Sequence, residues 1–317
     1  MSLELEAQKG AVHLRLLSLR AQLKKKAPPA VLRIIAAGLT YGRRLWVWMY
    51  VLRVAEGLTP SDTRVLWRSA LHAPLNMLRA LHVWREPQLS EDANISIRGL
   101  GVFAIRGDSD DLGHVLPINN ADMFRKMRAL VSAGDIVIDA GANIGAVSVF
   151  LARQVGLSGS VTAVEMMPDT AKRLRHNLSL NGFGFVRVVE LALSDKAECT
   201  VTAELPDKLF GQASLLRRAN LRSTARYVEV RTTTLDELAK NFGEISLIKM
   251  DLEGAEALAL EGAKSILSRT QAIVFESWEP CGGCVAELLS QEGFEISGID
   301  GRNWLAVRTS NRRRLGI

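Results

Sequence analysis

Apolar positions fall into two regimes along the chain. In the first third they recur at helical spacing. Val12, Leu16, Leu19 and Leu23 follow one another at four, three and four residues, and the run closes on Lys24, Lys25 and Lys26 before Pro28 and Pro29. This predicts a helix over 3–26. A second helical stretch is predicted over 30–56. A third is predicted over 61–84, opened by the cap signal Thr59-Pro60-Ser61-Asp62 and carrying Pro74 as a candidate kink. From about residue 95 the period shortens. Segments 95–98 and 102–106, joined through Gly99-Leu100-Gly101, read as a hairpin. A helical stretch is expected over 120–132.

A regular alternation follows. Near-continuous apolar runs at 135–139, 160–165, 186–191, 246–251 and 272–276 read as buried strands. Helical segments are expected at 145–155, 168–181, from Thr234-Leu235-Asp236 onward, and at 255–268. Buried strands alternating with helices predict a mainly parallel sheet covered on both faces. Segments 294–299 and 304–307 flank Asp300-Gly301-Arg302-Asn303, so the sheet is expected to end in an antiparallel hairpin.

Charge divides the chain at the same place. Residues 1–100 carry 15 Lys/Arg against 7 Asp/Glu, and residues 101–317 carry 25 against 27. The expected organisation is a basic helical extension over 1–90 and an α/β domain over 91–317. Four of the six tryptophans, Trp46, Trp48, Trp67 and Trp84, lie in the extension. Arg43-Arg44 followed by 45–51 suits simple packing of the helices, a peripheral contact with a membrane surface, or a homo-oligomer or nucleic-acid contact. The apolar stretch 31–58 is interrupted by Arg33, Arg43, Arg44 and Arg53, which makes it a poor membrane span. The start is acidic where a secretory leader would be basic, and the three cysteines exclude a disulfide framework. A cytoplasmic location, with or without peripheral membrane attachment, is the expectation.

The chemistry concentrates at strand ends. Ile136-Val-Ile-Asp139-Ala-Gly141-Ala-Asn143-Ile-Gly145 runs from a strand through a Gly-rich turn into a helix. Such a turn offers backbone amides to a ligand, with Gly141 allowing close backbone approach and Gly145 a close helix start. Twenty-four residues after Gly141, Glu165 ends the next strand, where a carboxylate can accept from both ribose hydroxyls. Asn143 and Ala146 stand where a dinucleotide fingerprint needs glycines, and Asp139 would repel a phosphate. S-adenosylmethionine carries an α-ammonium group and no phosphate, so it suits this turn better than NAD. Asp195, after the third strand, is a candidate acceptor for the adenine amino group.

The second signal is Leu247-Ile248-Lys249-Met250-Asp251-Leu252-Glu253-Gly254-Ala255-Glu256. Two-residue alternation sets Asp251 and Glu253 on one side of the turn, with Lys249 as a partner for Asp251. A carboxylate there could take a proton from a hydroxyl, hold a sugar-like substrate or bind a metal; no resident metal is assigned. The Arg-rich segment 207–226, with Arg217, Arg218, Arg222 and Arg226, is expected over the acceptor site, where it would favour an anionic acceptor.

These motifs, with Leu178-Ser-Leu-Asn181-Gly182 and Thr233-Thr234-Leu235-Asp236, resemble the FkbM-type S-adenosylmethionine-dependent methyltransferases over about 95–280. The resemblance implies a class I fold with a seven-stranded sheet, and O-methylation of a hydroxyl on a sugar, glycan, lipid or secondary metabolite. The candidate site residues read from the strand ends are Asp139, Gly141, Asn143, Gly145, Glu165 and Asp195 on the cofactor side, and Asp251, Glu253 and Lys249 on the catalytic side. One departure is Glu165-Met166-Met167-Pro168, where the family more often has Glu-Pro before a polar residue. Three readings compete with this one. A nucleic-acid methyltransferase is disfavoured: the one Pro-Pro is Pro28-Pro29, and no cysteine lies near Asp251. A redox or metal role for Cys281-Gly-Gly-Cys284 lacks a second ligand pair. A cofactor-binding module without activity is disfavoured because both strand-end motifs are intact.

Overall fold

A computed structural model of the chain describes residues 29–78, 86–215 and 225–311. The expected helix over 3–26 lies outside them. The molecule divides into two compact units, 1–53 with 69–87, and 54–68 with 88–317.

In the first unit, helix α1 (Pro29–Val54) buries Val47, Trp48 and Val51 and exposes Leu39, Trp46 and Met49. Among the described residues no helix is long and apolar enough to cross a membrane.

The second unit opens with strand β1 (Ala55–Gly57), which the sequence pattern did not predict, and with the start of helix α2 (Pro60–Leu78). The cap at α2 is reciprocal. Asp62 Oδ2 accepts from Thr59 N at 3.0 Å and from its hydroxyl at 2.7 Å, while the Thr59 hydroxyl accepts from Asp62 N at 3.2 Å. Pro74 lies inside α2. Strands β2 (Ala93–Ile97) and β3 (Gly101–Ile105) form the expected hairpin, and β1 pairs antiparallel with β2 to complete a three-stranded sheet. Helices α3 (Asp111–Val115) and α4 (Pro117–Leu130) follow.

The main sheet begins at β4 (Ile136–Ala140), and helix α5 (Ala146–Val155) leads to β5 (Ser160–Val164). Helix α6 (Pro168–Leu180) leads to β6 (Arg187–Val189). Asn177 and Asn181 near the end of α6 explain the motif there. Asn177 accepts from Ala104 N at 2.8 Å and donates to Ile144 O at 2.8 Å, and Asn181 both accepts from and donates to the Val102 backbone. The pair ties the small sheet to α6 and, through Ile144, to the Gly-rich turn.

Strands β7 (Ala192–Leu193), β8 (Thr200–Leu205) and β9 (Arg226–Thr233) make a second three-stranded sheet. It buries Ala203, Leu205 and Val230 beside Met167. Helix α7 (Leu235–Leu238) then leads to β10 (Ile245–Met250). The single helix expected over 255–268 is two short ones, α8 (Glu256–Glu261) and α9 (Lys264–Leu267). They part at Gly262, where a Cβ would come within 2.3 Å of Ser194 O. Strand β11 (Thr270–Glu276), helix α10 (Gly283–Gln291), and strands β12 (Phe294–Gly298) and β13 (Asn303–Arg308) complete the unit.

The seven-stranded sheet runs β12-β13-β11-β10-β4-β5-β6. The pairs among β6, β5, β4, β10 and β11 are parallel, and β13 is antiparallel to both its neighbours. This is the expected mainly parallel seven-stranded sheet closed by a hairpin. Every residue of β10 is buried, as covering helices on both faces require. From β4 the chain builds outward to β6, then returns to lay β10 on the other side of β4. The reversal leaves a crevice at the carboxyl ends of β4 and β10, where α/β sheets bind ligands.

Candidate active site

Two strand ends meet at that crevice. Asp251 N donates to Ala140 O at 3.0 Å, so the backbone beyond β10 continues its pairing with β4. Gly141 makes the approach possible. Its φ is +78°, and a Cβ there would lie 1.8 Å from Asp251 O. At Gly145, φ +99°, a Cβ would lie 2.7 Å from Leu174 Cδ1, so the glycine lets α5 start against α6. Sequence reasoning assigned Gly141 to ligand approach; in the fold the space a side chain would need is taken by the acceptor-side strand.

Most of the residues expected on the cofactor side converge around this turn. Asp139 is fully buried and accepts from the Ser148 hydroxyl at 2.6 Å through Oδ2. Burial raises its pKa, against the opposing pull of Lys249 and Ser148. Asn143, at φ +49°, donates its backbone N–H to Glu165 Oε2 at 2.9 Å. Glu165 Oε1 accepts from Met167 N at 2.9 Å. Burial pushes the Glu165 carboxyl up to about 7, although both backbone hydrogen bonds and Arg106 favour its anion. Asp195 stands apart on the loop after β7, where it accepts from the Ser194 hydroxyl at 3.0 Å and lies 3.9 Å from Lys196.

These residues suit a nucleoside carrying an ammonium group. Asp139 Oδ1 and Asn143 Oδ1 are buried acceptors with no hydrogen-bond partner among the described residues, and a ligand bearing donors would satisfy them. Glu165 uses only two of a carboxylate's roughly four acceptor positions, which leaves room for two ribose hydroxyls.

The acceptor side gathers charge. Lys249 Nζ, buried in β10, lies 3.2 Å from Asp251 Oδ2 and 4.0 Å from Asp139 Oδ1. Burial would lower the lysine's pKa, but Asp251 and Asp139 outweigh it and hold the ammonium charged. Burial likewise pushes Asp251 up, yet Lys249 and a hydrogen bond with Glu276 hold it below the ordinary carboxylate range. Glu276, at the end of β11, carries the proton of that pair. Burial, the Asp251 charge and the shared hydrogen bond raise it to about 8. Glu253 sits at φ +54° in the turn, and its carbonyl accepts from the Ser214 hydroxyl at 2.9 Å. Asp251, Glu253 and Glu276 can bring one oxygen each within 4.8 Å of one another, a spacing able to hold a metal ion. The Lys249 ammonium supplies positive charge there without one.

Sequence reasoning missed Glu276 as a site residue, though the end of a parallel strand next to β10 was the signal. It also missed Arg106, Asp110 and Asp111. Arg106 makes a two-pronged ion pair with Asp111 at 2.7 Å through both Nε and Nη2, and stacks 3.7 Å over the Phe210 ring. Asp110 accepts from the backbone N–H of Phe210 at 3.0 Å and of Gly211 at 3.3 Å. Together with Ser214, these contacts hold 207–215 to the segment before α3 and to the turn after β10. Arg217, Arg218 and Arg222 lie outside the described residues, and Arg226 is exposed at the start of β9. Cys199, Cys281 and Cys284 are free and exposed.

Topology and site together define a class I methyltransferase arrangement. The methyltransferase FkbM domain family matches residues 139–303, and the chain belongs to that family. It is an S-adenosylmethionine-dependent methyltransferase. Among individual proteins, the methyltransferase sdnD of Sordaria araneosa is 26% identical over 201 residues, which span 53% of this chain and 77% of the relative. Among solved structures, a SAM-dependent O-methyltransferase of Thermotoga maritima is similar over 69% of this chain and 77% of its own, at 14% identity and a TM-score of 0.40. The precorrin-6y C5,15-methyltransferase of Geobacter metallireducens is similar over 60% and 88%, at 12% identity and a TM-score of 0.39. These structural likenesses are slight, and the assignment rests on the family match.

Proposed function

We propose that the protein transfers a methyl group from S-adenosylmethionine to a hydroxyl of a small molecule, glycan or lipid. The cofactor supplies an electrophilic methyl group on a sulfonium. The chain's own part is to hold that methyl in line with the acceptor oxygen, keep water out and manage the acceptor's proton. Asp139, Gly141, Asn143, Gly145 and Glu165 form the cofactor side of this reading, with Asp195 assigned to the adenine amino group. Asp251, Glu253 and Lys249 form the acceptor side.

The observation that carries the reading is the Asp251 carboxylate. It is 38% exposed in its side chain, bonded by its backbone to the cofactor turn, and kept ionised by Lys249 at 3.2 Å. An ionised, fixed, accessible carboxylate is suited to receive a hydroxyl hydrogen bond and orient the oxygen. Glu253 stands two residues on, at the rim of the same turn. We assign the basic N-terminal region to holding the enzyme at a surface or partner, with the α/β domain carrying the reaction.

Labelled S-adenosylmethionine offered with a panel of methyl glycosides, glucuronides, hydroxy fatty acids and aromatic alcohols tests the reading. Mass spectrometry of the products should find a methyl ether. Methyl on nitrogen or carbon alone would overturn O-methylation while leaving the methyltransferase assignment in place.

A further inference from the structure

One imidazole lies near the Gly-rich turn. His114 closes α3, and its side chain retains 39% exposure. Its Nε2 lies 3.3 Å from Asp110 Oδ2, whose carboxylate is in turn fixed by the Phe210 and Gly211 amides. A Cβ placed on Gly211 would come 2.2 Å from His114 Nε2 and 2.8 Å from Asn143 Nδ2. The ring therefore lies beside the turn that suits the cofactor. From β10, Asp251 is close enough to act on the ring's charge. The imidazole thus lies beside the turn that suits the cofactor and within electrostatic reach of Asp251.

We propose that His114, oriented by the positioning residue Asp110, is the base that takes the proton from the acceptor hydroxyl. The inference rests on the O-methylation reading. As the acceptor O–H bond breaks, its proton goes to the imidazole. The acceptor oxygen bonds the methyl carbon, and the S–CH₃ electron pair stays on sulfur as a neutral thioether. Asp110 engages Nε2, which leaves Nδ1 to accept.

Among the groups lining the cleft, the imidazole suits this task. Asp251 is held ionised below the ordinary carboxylate range, which makes it a weak base. Glu276 keeps its proton up to about pH 8 and so cannot accept another at neutrality. An efficient general base has a pKa near the working pH, where histidine lies. Burial pulls His114 down, but the hydrogen bond and charge of Asp110, with the charges of Asp251 and Asp111, outweigh it and raise the ring above its ordinary value, so its base form, and with it turnover, should grow as pH rises through that value. Those three carboxylates would stabilise the imidazolium as it forms.

The test uses the full chain and the methyl-ether product found with the acceptor panel. His114→Ala should lower kcat by roughly 10²–10³-fold, within the range general base catalysis supplies. Its Kd for S-adenosylhomocysteine should stay within about twofold, and added imidazole should restore turnover. A readout independent of turnover is the ¹⁵N resonance of the ring. His114 should titrate above the free-histidine value in the wild type and fall toward it in Asp110→Asn. His114→Gln, which keeps the ring's volume and polarity, should fold as the wild type and lack both turnover and the resonance. If the wild type forms methyl ether and the His114 variants match its rate, or imidazole restores nothing, the base assignment is overturned and O-methylation stands. If the wild type forms no methyl ether, both fall.

Discussion

The two sides of the crevice are built by different means. The cofactor side is a short stretch of backbone: residues 139–145, a turn set by two glycines at positive φ, and one carboxylate from the neighbouring strand. The acceptor side is a set of charged side chains from the ends of two parallel strands, with a strap of backbone tied over them. Backbone geometry can be encoded within seven residues. A balanced charge cluster needs the whole sheet to bring Lys249, Asp251 and Glu276 together. The first should therefore fail through shape and the second through protonation.

Gly141→Ala should have the largest effect, because it strikes both sides at once. The new methyl group would meet the Asp251 carbonyl at 1.8 Å, in a backbone region that itself costs about 1–3 kcal/mol for a non-glycine residue. Loss of S-adenosylmethionine binding by calorimetry and a marked drop in Tm are expected. A variant that keeps both would show that the turns can separate.

Glu165 should report on the cofactor side alone. Glu165→Ala removes the proposed ribose acceptor, and the lost charged hydrogen bonds, worth roughly 1.5–3 kcal/mol, correspond to about ten- to hundredfold weaker binding. In the wild type the anion is the accepting form. With the carboxyl pushed up to about 7, S-adenosylmethionine affinity should hold above that pH and weaken as pH falls below it. A pH-independent Kd between 5 and 8 would contradict the role.

The smallest effect should come from Glu276→Gln. Near neutrality Glu276 already carries a proton, so the amide replaces it with little change, and turnover should stay within about threefold of the wild type. Above about pH 8 the wild type gains a second negative charge beside Asp251, which the variant cannot do. The wild-type pH–rate curve should bend there and the variant's should not.

The same contrast decides how much could be read from the sequence. The central strands β4, β5, β10 and β11 were legible because burial on both faces leaves near-continuous apolar runs. The closing hairpin was legible from Asp300-Gly301-Arg302-Asn303. The β7–β9 sheet was not. β7 has two residues, and β9 keeps Arg226, Tyr227, Glu229 and Arg231 exposed, so its pattern reads as loop. Gly262 breaks a helix for a tertiary reason, the nearby Ser194 carbonyl, that local periodicity does not contain. In the site, the Gly-rich turn and Asp251 were visible as motifs. Glu276 carried a signal, its place at the end of a buried strand, whereas Asp110 and His114 were invisible because only the fold brings them near residues so distant in sequence.

The central claim is that cofactor binding and acceptor activation are separable at the junction of β4 and β10. Asp251→Asn tests it most directly, with Kd for S-adenosylmethionine and kcat on a hydroxyl acceptor measured for the same preparation. The account predicts a Kd within about twofold of the wild type and turnover reduced by roughly 10²-fold, the loss expected when the acceptor oxygen is no longer oriented. Parallel loss of affinity and turnover would contradict it.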